Sequence, residues 1–302
     1  MEPTPNATAT DAATCSLYFP SNGVIIVFCT ILSLIAVMAS FGNIMTILVI
    51  VVNPLRRLRS PFFYFLLNLS VADALQGSVS VPMVVYYLSK HTQSLRVNTS
   101  SATNVLTLIS VASVFFNTMV IALDRCIAIT RPIRYRTTLS WQRCLKISLF
   151  MWFLSILTGL VLLVYVYQPP FKVDLILANN YFMFIVGIII MLLVFFRAYN
   201  FLKKHEEKYQ DRLRKASISF VGQRYNTEKK VTKVLLMVLA VFVVTYAPAL
   251  VMLNLTRFCV QCSCHVKFNL YISQYILLVL NSAVNPFIYT CLLYTSPSPR
   301  DS

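Results

Sequence analysis

Seven apolar stretches, each long enough to cross a bilayer, leave this chain few folds to choose from. They fall near 24–52, 60–88, 103–130, 145–167, 179–202, 231–256 and 267–290. A hydrocarbon layer of roughly 30 Å takes about 20 residues of helix to cross. Lipid offers backbone N–H and C=O groups no partners, so each run must satisfy its own and be helical. At 58% hydrophobic over 302 residues, the sequence is too apolar for a soluble domain of this length. The expected fold is all-α: a multi-pass, seven-transmembrane helix bundle over 24–290 behind a tail at 1–23. That tail is rich in Thr, Ala and Pro and has no basic residue, unlike the start of a cleaved signal peptide.

A formal net charge of +16 raises nucleic acid as a partner, but its distribution argues for a bilayer instead. Arg56, Arg57 and Arg59 lie between spans one and two. Arg131, Arg134, Arg136, Arg143 and Lys146 lie between spans three and four. A longer basic series from Lys203 to Lys230 lies between spans five and six. The alternate loops hold only Lys90, Arg96, Lys172, Arg257 and Lys267. Positive charge collects on the cytosolic side, which puts the N-terminus outside in a cell membrane. Attraction to anionic headgroups accounts for the charge without nucleic acid. The sequons Asn6-Ala7-Thr8 and Asn98-Thr99-Ser100 then fall outside as glycosylation candidates, while Asn68-Leu69-Ser70 lies within a span.

Seven of the eight cysteines, all but Cys291, divide by position. Cys29, Cys126 and Cys144 lie in or near apolar spans and read as packing residues. Cys15, Cys259, Cys262 and Cys264 fall on the oxidising side and are disulfide candidates. Zinc on the last three with His265 is the alternative, but no second ligand cluster accompanies them. No phosphate loop, metalloprotease motif or nucleophile elbow occurs, and the three histidines lie in loops, so no enzyme is expected.

Polar residues at membrane depth are costly and usually functional. Asp73 is the clearest, with Asn43 in the first span and Asn281, Ser282 and Asn285 in the seventh. They suit either a packing network or a switching, ion-binding core. Asp124-Arg125-Cys126 closes the third span, and Glu228 begins the sixth. Arg125 can pair with Asp124 and reach Glu228 in a latch whose desolvation cost balances its attraction. Asn285-Pro286-Phe287-Ile288-Tyr289 places a proline inside the last span, where a freed carbonyl needs a new partner. Such a break suits a kinked packing helix or a switch.

Together these residues resemble a rhodopsin-like (class A) G-protein-coupled receptor, over about 24–290. Gly42-Asn43 resembles the first-helix motif, and Leu69, Ala72 and Asp73 the second. Asp124-Arg125-Cys126 resembles Asp-Arg-Tyr with Cys for Tyr, and Trp152 matches the fourth-helix tryptophan. Phe242 to Pro248 resembles Phe-x-x-Cys-Trp-x-Pro, with Thr245 and Tyr246 substituted. Asn285 to Tyr289 matches Asn-Pro-x-x-Tyr. The resemblance implies that an extracellular ligand bears on Tyr246 near the Pro248 kink. Helix six then swings outward, and Arg125 and Tyr289 help admit a heterotrimeric G protein. It also implies a sodium ion near Asp73 as an allosteric modulator. Val114 replaces one usual coordinating serine, and Asn281, Asn285 and Ser110 are the residues that can compensate.

Departures from the pattern narrow the ligand. Ser100 stands where the usual helix-three cysteine would be, and the short second outer loop near 168–178 has no Cys. The fifth span has no Pro. These absences resemble the melanocortin, lysophospholipid, cannabinoid and adenosine receptor group, the melanocortin branch most. The acidic ligand site of that branch does not carry over, because Met83, Ser100 and Asn104 occupy its places. Thr107 replaces the amine-binding Asp and Val279 the retinal-binding Lys. The pocket candidates by this resemblance are Met83, Asn104, Thr107, Tyr246, Leu253 and Val279. A small molecule, lipid or peptide all stay open. Ser217, after Arg214-Lys215-Ala216, is a candidate for basic-directed phosphorylation. The competing classes are a scaffold or decoy receptor and a transporter, the latter calling for internal repeats that are not seen. Residues 291–302 read as an in-frame translated sequencing adapter, with native sequence expected to stop near Thr290.

Overall fold

The computed structural model describes residues 20–52, 61–90, 101–130, 135, 140–166, 182, 184–201, 203, 204, 220–259 and 261–294. Seven helices among them are long and apolar enough to cross a membrane. They are α1 (Asn22–Val52), α2 (Pro61–Lys90), α3 (Ser101–Thr130) and α4 (Trp141–Val166). They continue as α5 (Phe184–Phe201), α6 (Phe220–Phe258) and α7 (Cys264–Tyr294). The expected bundle is therefore present. α6 begins at Phe220, well before the apolar run at 231, because Gln223, Arg224, Glu228 and Lys229 favour helix without being apolar. α7 runs through Tyr294, into the first residues of the segment set apart above. Its start is capped, with Ser263 Oγ accepting from the Val266 N–H at 3.4 Å. Asn6, Cys15, Asn98, Ser100 and Ser217 lie outside the described residues.

α3 is the axis of the bundle. Its membrane window is 67% buried, against 22% for α1, α4 and α5. Those outer helices turn Ile26, Leu34, Phe41, Phe153, Ile189 and Phe196 outward, where lipid receives them. Lipid tails are as apolar as leucine, so association depends on close packing and interhelical hydrogen bonds rather than on hydrophobic burial.

Glycines supply much of that close packing. At Gly42 an added Cβ would stand 2.8 Å from Cγ of Pro286, so α1 meets α7 ring against backbone. At Gly77 it would stand 2.9 Å from the Ala36 carbonyl oxygen, joining α2 to α1. Gly159 receives Ile109 and Gly187 receives the Phe115 ring, which fasten α4 and α5 to α3.

α2 is interrupted by a π-helical turn at Gln76–Ser80, closed by the Val81 N–H bonding the Gln76 carbonyl. Pro82 explains it. Its ring has no N–H for the Ser78 carbonyl and would clash with it in a regular helix. One residue more in the turn relieves the clash and rotates the outer half of α2. Ser80 is thereby brought 2.6 Å from Ser110 on α3, oxygen to oxygen.

Substituting Gly77 by Ala should lower stability by about 1–3 kcal/mol, since the opposing atom is backbone and cannot step aside. Gly42→Ala should cost a similar amount. Gly23→Ala, with nothing within 4 Å, should be neutral or slightly stabilising. Thermal unfolding of the purified protein checks all three.

Candidate functional site

The bundle holds three polar or aromatic centres. The deepest surrounds Asp73, which is fully buried. Asn285 Nδ2 donates to Asp73 Oδ2 at 2.8 Å. Pro286 has no N–H for the carbonyl four residues back, and that carbonyl belongs to Ser282. Asn43 Nδ2 donates to it at 3.0 Å, and also to the Ala39 carbonyl at 2.8 Å. α1 thus supplies the partner that the α7 proline removes, over the contact that Gly42 permits. The Ser282 hydroxyl donates to Gln76 Oε1 at 3.1 Å. Thr245 Oγ1 lies 3.5 Å from Asn281 Oδ1, which brings α6 beside the same knot.

Asn43, Asp73, Asn281, Ser282 and Asn285 are thus brought together. Ser110 is not part of this group, because its hydroxyl is shared with Ser80 and donates to the Leu106 carbonyl at 2.9 Å. Gln76 was not singled out from the sequence. An amide one turn after Asp73, in an apolar span, was the available signal. On α3 the facing residue is Val114, fully buried, and Gln76 Nε2 and Asn281 Nδ2 are buried N–H groups without a partner. Asp73 Oδ1, Asn43 Oδ1 and Asn285 Oδ1 are buried acceptors in the same group.

At the cytosolic end Arg125 is held from three sides. Its Nε and Nη2 donate to Asp124 Oδ2 at 2.8 and 2.6 Å. Nη2 also donates to the Tyr135 hydroxyl at 2.7 Å, which donates to Asp124 Oδ1 at 2.9 Å. The guanidinium lies 4.7 Å over the Phe62 ring. Burial pushes the Tyr135 hydroxyl well above its ordinary pKa. Arg125 offsets part of that and Asp124 adds to it. It therefore stays a neutral donor throughout the physiological range. Tyr135 and Phe62 were missed because neither belongs to a charge pattern. The Glu228 side chain lies outside the described residues.

Between these ends is an aromatic relay. Tyr246, almost wholly buried, stacks on Phe242 at 4.1 Å. Phe115 leans on both rings and on Phe184 of α5. Pro248 lies one turn above Phe242's neighbours in α6, and the Thr245 hydroxyl bonds back to the Val241 carbonyl at 2.8 Å, which also favours a bend. Tyr289 is buried with its hydroxyl unpartnered. Trp152 Nε1 donates to Asn68 Oδ1 at 2.8 Å and Asn68 bonds Asn117, so α4, α2 and α3 are joined.

Toward the outer face, Met83, Thr107 and Leu253 are half-buried, and the Asn104 side chain is outside the described residues. The Thr107 and Tyr275 hydroxyl oxygens are buried and interact with each other between α3 and α7. Val279 is instead packed fully into the apolar cluster of α1, α2 and α7, beside Ala36 and Ile272. Cys259 and Cys262 form a disulfide across the turn from α6 to α7, and Cys264 is disulfide-bonded as well. Cys29, Cys126 and Cys144 are not in disulfides. No metal-holding group of His, Cys, Asp and Glu occurs among the described residues.

Asp73→Asn should raise the unfolding midpoint, by up to about 3 kcal/mol of the cost of a carboxylate at mid-membrane. The amide oxygen still accepts from Asn285. Asp73→Leu, which strands that N–H, should lower the midpoint in the same assay.

Comparison with known proteins agrees with this arrangement. The profile of the family described as 7 transmembrane receptor (rhodopsin family) matches residues 42–289. Melanocortin receptor 5 of Mus musculus is 28% identical over 257 residues, covering 82% of this chain and 74% of the relative. Lysophosphatidic acid receptor 3 of Homo sapiens is 29% identical over 268 residues, covering 83% and 70%. Melanocortin receptor 5 of Bos taurus reaches 30% over 257 residues, covering 82% and 74%. A bundle with Asp73 knotted to Asn285, an Asp124-Arg125 latch and this family match identify a multi-pass membrane receptor for extracellular ligands, and the chain belongs to the rhodopsin (class A) family of seven-transmembrane receptors.

Proposed function

We propose that the receptor binds its ligand among the outer ends of α2, α3, α6 and α7 and activates a heterotrimeric G protein at its cytosolic face. The observation that carries this reading is the state of Arg125. A guanidinium held by Asp124, Tyr135 and Phe62 is a closed latch at the only point where α3 presents a strong cation to the cytosol among its described residues. Outward movement of α6 would open a cleft beneath it and free Arg125 for the G protein.

The path from ligand to latch runs through side chains that pack in few ways. A ligand beside Thr107 bears on the Phe115–Tyr246–Phe242 cluster. Rotation of those rings moves α6 about Pro248, and Thr245 passes the movement to Asn281 on α7. The ligand itself only shifts an existing equilibrium, by the difference in its affinity for the two states. Melanocortin peptides do not follow from the relatives' names, because the residues expected to recognise a basic peptide are absent at Met83 and Asn104.

A non-signalling scaffold or decoy is the second reading, favoured by Cys126 and Tyr246 at two positions where the family pattern has Tyr and Trp. G-protein activation in transfected cells separates the two. The receptor reading predicts ligand-independent or ligand-driven signal that Arg125→Ala abolishes. Signal surviving that change in full would overturn the mechanism, and no signal from a surface-expressed chain across a broad ligand screen would favour the decoy.

Tyr135→Phe removes the hydroxyl that bridges Asp124 and Arg125 while leaving the ring. Basal signalling should rise. Loss of about 1.4 kcal/mol from the closed state alone would change the active-to-inactive ratio tenfold. The same assay, run without ligand, measures it.

A further inference from the structure

We infer that the Cys259–Cys262 disulfide is a reducible site, opened in the folded receptor by thiol–disulfide exchange with an extracellular dithiol, and that its opening loosens the outer end of α6. The two cysteines are three residues apart. A bridge stabilises mainly by restricting the unfolded chain, and that restriction grows with the loop it closes. So short a loop restricts the unfolded chain little. The helices on either side are formed and seated without it. The Cys259 N–H donates to the Leu255 carbonyl at 3.1 Å, and the Lys267 N–H to the Ser263 carbonyl at 3.0 Å. Ala249, Phe268 and Ile272 are buried. Beyond Ala249 the outer end of α6 is lightly packed, because none of the described side chains from Val251 to Cys259 is buried. The bridge therefore adds little to the stability of the whole, yet it ties a loosely held helix end to the start of α7.

Both cysteines are half-exposed, and their neighbours Phe258, Gln261 and Ser263 are exposed, so a thiolate outside the membrane can reach the sulfurs. The two ends differ as leaving groups. Cys262 stands one residue before the Ser263 cap of α7, whose first turn holds no acidic residue. The N–H groups of that turn favour negative charge, and a thiolate stabilised in this way leaves faster. Attack therefore falls on Cys259 Sγ. A bond forms from the reductant sulfur to Cys259, the Cys259–Cys262 bond breaks, and Cys262 departs as a thiolate with the electron pair. The second thiolate of the reductant then attacks its own sulfur in this mixed disulfide and releases Cys259. The dithiol is oxidised to a disulfide and the receptor gains two electrons. The two protons of the dithiol pass through water to the two cysteines. Cys264 is held in a separate disulfide, which this exchange does not consume.

The test reads thiols and backbone amides rather than signalling, so a silent G-protein assay leaves the inference standing. The purified full chain in lipid nanodiscs is exposed to graded dithiothreitol, and free thiols are alkylated and located by peptide mass spectrometry. Cys259 and Cys262 should be labelled together, at about tenfold less dithiothreitol than opens the Cys264 bridge, while the chain stays folded. Labelling that comes only with unfolding, or together with Cys264, would overturn the proposal. Hydrogen exchange follows the consequence. Amides of residues 251–258 should exchange about tenfold faster after reduction, with the inner turns of α6 unchanged. Cys259→Ser with Cys262→Ser should show the same fast exchange without reductant and no further response to it. Exchange as slow as in the oxidised wild type, in the reduced wild type or in this variant, would show that the bridge does not hold α6. If the variant does not fold, the reduced wild type alone decides.

Discussion

The carbonyl of Ser282 is the point on which much of this bundle turns. Pro286 leaves it without its helical partner, at a depth where lipid offers none. Asn43 supplies the missing N–H from α1, at 3.0 Å, and can do so only because Gly42 lets the Pro286 ring lie against the α1 backbone. Asn285, just before the proline, binds Asp73 on α2. A single helix break thus draws three helices into one polar knot, and Thr245 adds a fourth. The knot is strong because lipid offers its groups no other partner, and it is rearrangeable because several of its atoms are still unpaired.

Around that knot the helices approach through small residues and interlocking rings. Gly77, Gly159 and Gly187 each admit an atom where a methyl group would clash. Phe115 uses the Gly187 socket to reach Phe184, Phe242 and Tyr246 together. α5 has no proline to bend it, so this ring seated in a glycine notch is how α5 is registered against α3 and α6. A cluster packed at interior density has few alternative arrangements, which is what a two-state element requires.

The latch at Arg125 depends on the same economy of partners. Asp124 is the sole ion-pair partner seen for it among the described residues, and Tyr135 closes the triangle from the segment after α3. A surface ion pair would be of little consequence, but this carboxylate is buried and the guanidinium half-buried against Phe62. Opening it therefore exposes charge to water, a gain that offsets the lost contacts and lets modest ligand affinity differences move the balance.

Much of this was legible in the chain alone. Hydropathy located the spans, basic residues oriented them, and the proline, Asp73 and Asp124-Arg125 marked the centres, because each breaks a rule that lipid enforces. Less was legible where the signal is silent in one dimension. Helix six extends beyond its apolar run because helix propensity persists in water. Val279 is packed away between α1, α2 and α7, and Ser110 pairs with Ser80, because Pro82 forces a π turn that re-aims half of α2. Gln76, Tyr135 and Phe62 gain their roles only from neighbours distant in sequence. The sequence by itself determined that this protein is a seven-helix membrane bundle with polar residues buried at set depths, since lipid permits nothing else. Which of those residues meet, and which are left to bind water, ligand or ion, was decided only in the tertiary structure, because pairing depends on helix rotation and register that hydropathy does not encode.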